Sequence, residues 1–365
     1  MYNLENWVIE MNLAFWKNKK VLITGHTGFK GSWLSIWLHS LGAEVIGYAL
    51  DPYTDKDNFT VCRLQEKMID IRGDIRNIVQ LSEVFNNYKP DIVFHMAAQP
   101  LVMQSYKKPK ETYEINVMGT LHVLECIRNC DNTKIGIFIT SDKCYENKEQ
   151  IWGYKEDDPF GGYDPYSSSK ACTEILIGSY RKSFMNPDNY EVHGKGIASV
   201  RSGNVIGGGD WAKDRIIPDC IRSLEKDESI KIRCSNAVRP WQHILEPLSG
   251  YMLLAERLYN EPLKYAEGWN FGPNLDSIIS VWEIAKLLIK FYGKGSLEEK
   301  LELTAPHESK LLSLDISKAK FKLNWSPKMN VEQAVRMTVE WYKNYNNSNG
   351  FELCQNQIKK FLQYK

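Results

Sequence analysis

Short apolar runs alternate with longer stretches of helical periodicity through the first half of the chain. The runs have the length of β-strands, and each is followed by a segment whose apolar residues recur every three to four positions. Five of them precede the middle of the chain: KVLITG (20–25), AEVIGYAL (43–50), MIDIRGD (68–74), DIVFHMAA (91–98) and IGIFITS (135–141). Repeated strand–helix units with buried strands predict an α/β fold with a Rossmann-type, doubly wound parallel sheet.

The pattern changes after about residue 205, where three consecutive glycines (207–209) predict a loop and longer helical segments follow. The runs IASVRSGN (197–204) and EGWNFGP (267–273) predict strands that return to the sheet. We therefore predict a sheet domain over 12–204 plus returning segments near 240–275. A smaller, interleaved α/β C-terminal lobe is predicted over 205–239 and 276–345, with tails at 1–11 and 346–365.

Composition and charge place the chain among ordinary globular proteins. Apolar residues make up 43%, charged residues 25%, and the net charge is +1. That balance argues against nucleic acid or an anionic membrane as a partner. The absence of an apolar run of membrane-spanning length, and of a signal-peptide pattern at the N-terminus, predicts a cytoplasmic protein.

The eight cysteines are scattered through the chain and form no C-x-x-C pair. Cys126 and Cys130 share a helical face, but no neighbouring histidines complete a zinc set. We therefore expect free thiols and no metal site.

A glycine-rich turn follows the first predicted strand. VLITGHTGFKGSWL places Gly25, Gly28 and Gly31 between a strand and a helix. Glycines at this point let the backbone approach a pyrophosphate, and the helix N-terminus offers free N–H groups and partial positive charge. Lys30 adds a positive charge to the same loop. The turn therefore predicts a dinucleotide site.

An acidic residue follows the second predicted strand, as a dinucleotide site requires. Asp51 lies 20 residues beyond Gly31, where a carboxylate hydrogen-bonds the adenosine ribose and repels a 2′-phosphate. This favours NAD over NADP, and Asp74 after the third strand suits the adenine. The predicted cofactor set is Gly25, Thr27, Gly28, Phe29, Lys30, Gly31, Asp51, Asp74, Ile75, Ala97, Ala98, Gln99, Tyr166 and Lys170.

A tyrosine and a lysine one helical turn apart supply a candidate base. In YDPYSSSK, Pro165 suits a helix start, and Tyr166 and Lys170 share a helix face. A nearby ammonium favours the phenolate and lowers the pKa of the tyrosine. We therefore expect Tyr166 to take a proton from a sugar hydroxyl near neutral pH, and Lys170 to hold the nicotinamide ribose.

Three polar residues end the fifth predicted strand in FITSDKCYEN (138–147). Ser141, Asp142 and Lys143 fall where open α/β sheets bind ligands. Alone they are also compatible with an ordinary polar turn. Together with the dinucleotide turn and the Tyr-Lys pair, they predict an active site.

These motifs resemble the extended short-chain dehydrogenase/reductase family. The resemblance rests on the three glycines, Asp51, HMAAQ (95–99), Asn116, Ser141 and the Tyr-Lys pair. Longer stretches resemble one branch of it, the CDP-glucose 4,6-dehydratases: TGHTGFKGSWL, TSDKCYEN, RSGNVIGGGDWAKDRIIPD (201–219), RPWQHILEPLSGY (239–251) and LDISKAKFKLNW (314–325).

The resemblance implies a lyase that dehydrates CDP-D-glucose for deoxysugar biosynthesis, such as that of lipopolysaccharide O-antigen. The sugar is oxidised at C4, loses water across C5 and C6, and receives the hydride back at C6. Asp142 is then the acid for water loss, which requires a pKa raised by burial. Lys143 is the C5 base, which requires a neutral amine.

The resemblance also implies substrate contacts and an assembly. The predicted substrate set is Gln99, Asn204, Lys213, Arg215, Arg239 and His243. Asn116 is expected to hydrogen-bond backbone near the site, and helices starting near 111 and 166 are expected to form a homodimer. His243 and His307 are also compatible with structural roles. Ser309 stands where the family pattern has alanine.

Three other functions fit part of these observations. A nucleotide-sugar 4-epimerase or a dehydratase for UDP-, dTDP- or GDP-hexoses shares NAD, the serine, the tyrosine and the lysine. An epimerase has no need of an acid–base pair such as Asp142 and Lys143. A non-enzymatic scaffold with this fold is disfavoured because Tyr166 and Lys170 are both present.

Overall fold

The chain is organised around one seven-stranded sheet. The computed structural model describes residues 12–299, 311–346 and 348–364. The strands are β1 (Lys20–Thr24), β2 (Glu44–Ala49), β3 (Ile69–Arg72), β4 (Ile92–His95), β5 (Ile135–Ile139), β6 (Gly196–Ser202), β7 (Val205–Ile206), β8 (Ile230–Ile232), β9 (Val238–Pro240), β10 (Gln242–His243), β11 (Gly268–Phe271), β12 (Ile278–Ser280) and β13 (Leu297–Glu299).

Helices cover both faces of this sheet and build the smaller lobe. They are α1 (Phe29–Ser40), α2 (Asn58–Val61), α3 (Ile78–Tyr88), α4 (Val102–Lys107), α5 (Pro109–Tyr113), α6 (Gly119–Asn129), α7 (Pro165–Ser183), α8 (Tyr190–His193), α9 (Ile216–Glu225), α10 (Leu245–Asn260), α11 (Pro262–Tyr265), α12 (Val281–Tyr292), α13 (Val331–Asn344) and α14 (Gly350–Gln363). A π-helical segment, Glu114–Met118, joins α5 to α6.

The seven apolar runs predicted as strands form the seven strands of the main sheet. The order is β11-β6-β5-β4-β1-β2-β3, and neighbouring strands run parallel. β5 and β6 are buried at every position, because helices cover both faces. The direction of strand addition reverses between β1 and β4, so a crevice opens there at the carboxyl ends of the strands. The predicted doubly wound fold is confirmed.

In the part of the chain that the structure describes, the smaller lobe contains short sheets and the helices α9, α12 and α13. β8 pairs with β13, β9 pairs with β12, and α12 packs against both α9 and α13. β6 and β11 lie in the main sheet. The predicted domain boundaries themselves stay a prediction.

The last helix, α14, lies in the segment predicted as a tail. It packs against α1, and Phe351, Cys354, Ile358 and Phe361 are buried there. Residues 1–11, predicted as the other tail, lie outside the described residues.

Among the described residues, no helix has the length and apolar character needed to cross a membrane. All eight cysteines are free thiols, as predicted.

Candidate active site

A cleft of about 1540 Å³ opens at the carboxyl ends of the sheet strands, between the sheet and the smaller lobe. It brings most of the predicted site residues to one place. Those that line it are Gly25, Thr27, Gly28, Phe29, Lys30, Gly31, Asp51, Asp74, Ile75, Ala97, Ala98, Gln99, Ser141, Asp142, Lys143, Tyr166, Lys170, Asn204, Arg215 and Arg239.

Two residues of the predicted substrate set do not line this cleft. Lys213 is exposed on the loop before α9. His243 is fully buried on β10, 6.2 Å edge-on from the ring of Trp33, and burial lowers its pKa to about 3. A neutral, enclosed imidazole of this kind fits the structural role that the sequence also allowed for His243.

The glycine turn has the backbone geometry that an approaching pyrophosphate needs. Gly25 adopts φ +78°, and a Cβ there would lie 2.7 Å from the backbone nitrogen of Ala97. A Cβ on Gly31 would lie 2.2 Å from the Gly25 carbonyl oxygen. α1 begins at Phe29 without a side-chain cap, so N–H groups of its first turn remain available. The turn therefore suits an anionic group of a dinucleotide.

The far end of the cleft carries carboxylates at the ends of β2 and β3. The Asp51 side chain is 87% exposed, and its Oδ1 lies 3.7 Å from Nε of Arg72. Asp74 accepts hydrogen bonds from Arg76, which lower its pKa. An exposed carboxylate 20 residues beyond the glycine turn fits the adenosine ribose of NAD. The residues present at both ends thus fit the predicted cofactor.

The triplet Ser141–Lys143 forms a tight turn where β5 ends. Ser141 caps a 3₁₀ turn, with its Oγ 3.2 Å from the Lys143 nitrogen and 3.0 Å from Asp142 Oδ1. Asp142 is buried, and burial raises the pKa of its carboxyl despite nearby Lys143, Arg239 and Lys30. This is the direction of shift that an acid for water loss requires.

The Tyr-Lys pair lies on α7, which packs against the triplet turn. Asp164 caps this helix by accepting from the Ser167 nitrogen at 3.0 Å, and Pro165 is its first residue, as predicted. Tyr166 and Lys170 are both buried. Lys170 Nζ donates to the Ile139 carbonyl oxygen at 3.3 Å.

The expected lowering of the tyrosine pKa is not found in this geometry. Burial raises the pKa of Tyr166 to about 12, partly offset by a hydrogen bond with Ser141. Burial also lowers the pKa of Lys170 to about 8. The cost of placing a phenolate away from water thus outweighs the attraction of nearby positive charge.

Lys30 lines the cleft near the carboxyl end of β6. Its Nζ donates to Ser202 Oγ at 2.9 Å, and the Tyr251 hydroxyl donates to the same oxygen at 2.8 Å. Burial, with Arg215 and Lys170 nearby, lowers the pKa of Lys30 to about 7. The amine is therefore held at the end of β6 by side chains of the main domain.

Cations from the smaller-lobe segments form the opposite wall. Arg215 Nη1 lies 2.8 Å from Asp210 Oδ2, and Arg239 is buried beside the cleft with Nη1 donating to the Val238 carbonyl. Asn204 accepts at its carbonyl from the Gln242 nitrogen at 3.1 Å. Guanidinium groups at this wall suit phosphate oxygens.

Asn116 holds the loop after β4, as predicted. Its Oδ1 accepts from the Gln99 nitrogen at 2.8 Å, and its Nδ2 donates to Ser169 Oγ at 2.8 Å. The Gln99 side chain bonds Leu101 and Thr112, so it is engaged within the loop.

Several polar residues around the site were not among the predicted ones. Ser202 and Asp210 bind Lys30 and Arg215 respectively. Glu174 and Arg201 form a buried ion pair behind β5. Of these, only Glu174 had a local signal, because it follows Lys170 at the four-residue spacing that separates Lys170 from Tyr166. His307 and Ser309 lie outside the described residues.

Known proteins resemble the chain over nearly its whole length. The family model described as GDP-mannose 4,6 dehydratase matches residues 22–338. A CDP-glucose 4,6-dehydratase from Salmonella typhimurium is 50% identical over 340 residues, covering 93% of this chain and 95% of that protein. A dTDP-glucose 4,6-dehydratase from Escherichia coli is 24% identical, covering 88% and 92%.

Solved structures share the fold. A dTDP-glucose 4,6-dehydratase from Bacillus anthracis in complex with NAD superposes with a TM-score of 0.73 at 22% identity, covering 92% of this chain and 99% of that one. A UDP-glucuronic acid 4-epimerase mutant from Bacillus cereus, in complex with NAD and a substrate analogue, has a TM-score of 0.76 at 25% identity, with coverage of 89% and 99%.

Proposed function

We propose, because the chain belongs to the GDP-mannose 4,6-dehydratase family, that it is a hydro-lyase converting CDP-D-glucose to CDP-4-dehydro-6-deoxy-D-glucose. The observation that carries the reaction type is the buried Asp142 beside Lys143, in one cleft with Tyr166 and Lys170. The cytidine base is supported by the relative that is 50% identical and acts on CDP-glucose.

NAD is the proposed cofactor. The Gly25–Gly31 turn would hold the pyrophosphate, Asp51 the adenosine ribose and Lys170 the nicotinamide ribose. When bound, NAD supplies the hydride acceptor for oxidation at C4 and the hydride donor for reduction at C6.

Tyr166 is proposed to receive the proton of the C4 hydroxyl. Its hydrogen bond with Ser141 favours the phenolate, and Arg215 lowers the pKa further. Tyr166 and Ser141 both line the cleft in which a sugar hydroxyl would lie.

Asp142 and Lys143 are proposed to carry the elimination. The C4 ketone acidifies the C5 proton, and Lys143 is the group proposed to take it. Asp142, which burial keeps protonated to a higher pH than usual, gives its proton to the departing C6 hydroxyl. One proton thus enters Lys143 and one leaves Asp142, and water departs. A 4-epimerase eliminates no water, so its reaction would not use Asp142 or Lys143.

The test is to incubate the purified protein with CDP-glucose, dTDP-glucose, UDP-glucose and GDP-mannose in separate reactions. A 4-keto-6-deoxy product, identified by NMR, is expected from CDP-glucose. Tyr166→Phe is the inactive control, since it lacks the base. A C4-inverted sugar would instead identify an epimerase. Turnover of another nucleotide sugar, with none of CDP-glucose, would overturn the cytidine assignment and keep the reaction type.

We also propose that the chain forms a homodimer through the surface of the π segment and α7. Met118 is 45% exposed and Ile175 is 60% exposed, so both helices present apolar side chains outward. Light scattering should give twice the chain mass of 42.2 kDa, and Ile175→Glu should shift the protein toward monomer. A monomeric wild type would contradict this assembly.

A further inference from the structure

A buried ion pair lies directly behind the catalytic triplet. Glu174 of α7 and Arg201 of β6 are 2% and 3% exposed. Glu174 Oε1 accepts from Arg201 Nε at 2.8 Å, and Oε2 accepts from Arg201 Nη2 at 2.8 Å. This bidentate geometry fixes α7 and β6 relative to each other. Neither residue lines the cleft.

The pair binds the residues on both sides of the triplet. Thr140, immediately before Ser141, donates a hydrogen bond from its hydroxyl to Glu174 Oε1 at 2.5 Å. Tyr145, two residues after Lys143, accepts at its hydroxyl from Arg201 Nη1 at 2.6 Å. The three catalytic side chains therefore lie on a short turn whose two ends are held by one ion pair.

Glu174 lies on the same helix, α7, as Tyr166 and Lys170. Glu174 follows Lys170 by four residues, and Lys170 follows Tyr166 by four. All three side chains thus lie along one face of the helix. A contact that fixes Glu174 to Thr140 therefore sets the distance from the triplet to Tyr166 and Lys170.

Further contacts make the arrangement rigid. The Tyr145 hydroxyl donates to Asn270 Oδ1 at 2.8 Å, and the Arg201 guanidinium lies over the Tyr145 and Phe160 rings at 5.2 and 4.9 Å. Ser199 donates to Glu174 Oε2 at 2.7 Å. A buried ion pair often contributes no more to stability than apolar residues of similar volume would. A fully hydrogen-bonded pair at this place therefore favours a positional role.

We propose that Glu174 and Arg201 are positioning residues, which together hold the Ser141–Lys143 turn at a fixed distance from Tyr166 and Lys170. This inference rests on the proposed function and adds the means by which the acid–base groups and the redox groups are held together. A small displacement of the turn would separate groups that must act on adjacent sugar carbons.

The kinetic test uses Glu174→Gln and Tyr145→Phe, with Glu246→Gln as the matched control. Glu246 is also a buried glutamate, and it accepts from the Lys328 and Met329 nitrogens outside the cleft. We expect kcat to fall about 100-fold in Glu174→Gln and about 10-fold in Tyr145→Phe, with KM nearly unchanged. The control should keep wild-type kcat.

The pH profile separates positioning from a simple loss of folded protein. If the turn loosens, the contact between Ser141 and Tyr166 that favours the Tyr166 phenolate weakens. The acid limb of the kcat profile should then move to higher pH in both variants. Loss of folded enzyme would lower the whole profile without moving it. Lower melting temperatures with an unmoved profile would overturn the proposal.

Amide hydrogen exchange supplies a readout that does not depend on turnover. In the purified protein without substrate, the peptide covering 139–146 should exchange faster in Glu174→Gln and Tyr145→Phe than in wild type or Glu246→Gln. If wild type converts no nucleotide sugar, the proposed function fails while this measurement still decides the positioning. Unchanged exchange in Tyr145→Phe, the milder variant, would overturn the inference even if Glu174→Gln does not fold.

Discussion

Two buried carboxylates flank the end of β5, one on the cleft side and one behind it. Asp142 and Glu174 are both buried. Burial by itself raises the pKa of both side chains. Their net shifts are nevertheless opposite, since the pKa of Asp142 is raised and that of Glu174 is lowered to about 2.

The difference comes from the donors around each group. Glu174 accepts from a guanidinium and from the hydroxyls of Thr140 and Ser199. Within the described part of the chain, Asp142 accepts one side-chain hydrogen bond, from Ser141. Lys143, Arg239 and Lys30 lower its pKa through their positive charge, without a hydrogen bond to the carboxylate. A carboxylate with a complete set of donors stays ionised and serves the structure. One with few donors keeps an exchangeable proton and can serve chemistry.

The largest effect should come from removing the proton donor on the cleft side. Asp142→Asn keeps the shape but cannot give a proton to the leaving hydroxyl. We expect product formation from CDP-glucose to fall about 1000-fold, within the range for loss of an acid–base group. Steady-state assays check this, with Glu246→Gln as the control for a buried carboxylate outside the cleft. A loss of less than tenfold would remove Asp142 from the elimination.

Lys143→Ala tests the partner of that acid. The variant should still oxidise C4, seen as reduced nicotinamide in a single turnover, but should fail to exchange the C5 proton with deuterated water. We expect turnover to fall about 100-fold or more. Normal C5 exchange in this variant would show that another group is the base.

Removing Arg201, the ion-pair partner of Glu174, should lower the stability of the folded protein. Arg201→Met leaves Glu174 buried without its cation, so we expect the free energy of unfolding to drop by about 3 kcal/mol. Arg128→Met is the control, because Arg128 forms an exposed pair with Glu125 that should contribute less than about 1 kcal/mol. Urea unfolding of both variants measures the difference, and equal losses would contradict the comparison.

Glu246 is a third buried carboxylate, and it lies outside the cleft. It tests whether a buried carboxylate with few hydrogen-bond donors also has a raised pKa there. Burial raises the pKa of Glu246 to about 8, against an ordinary value of 4.5. The folded state therefore holds a proton that the unfolded state releases, and stability is lost as pH rises through this window. Relative to Glu246→Gln, the wild type should lose about 3 to 4 kcal/mol between about pH 5 and pH 8. A constant difference in thermal unfolding over that range would contradict the raised pKa.

The smallest effect should be on the stability of Asp142→Asn. Because the folded pKa of Asp142 is raised, ionisation near neutral pH costs stability, which a neutral amide avoids. We expect a slightly higher melting temperature for Asp142→Asn, the opposite of the change in Arg201→Met. A lower melting temperature at neutral pH would show that the surrounding cations stabilise the ionised Asp142.

The sequence by itself determined the sheet and most of the cleft. Apolar runs of strand length marked all seven strands of the main sheet, because buried parallel strands need continuous apolar residues. The glycine turn, Asp51, the triplet and the Tyr-Lys pair follow strands or open helices, so local spacing predicted where they would meet.

Only the tertiary structure decided how these groups are charged and held. His243 and Lys213 carried suitable chemistry but do not line the cleft, whereas Glu174 and Arg201, 27 residues apart, join behind the triplet. The raised pKa of Tyr166 likewise depends on how deeply α7 buries it. Spacing along a chain fixes which residues share a strand end or a helix face. Burial and the donors around each group arise from contacts between distant segments, which local patterns do not encode.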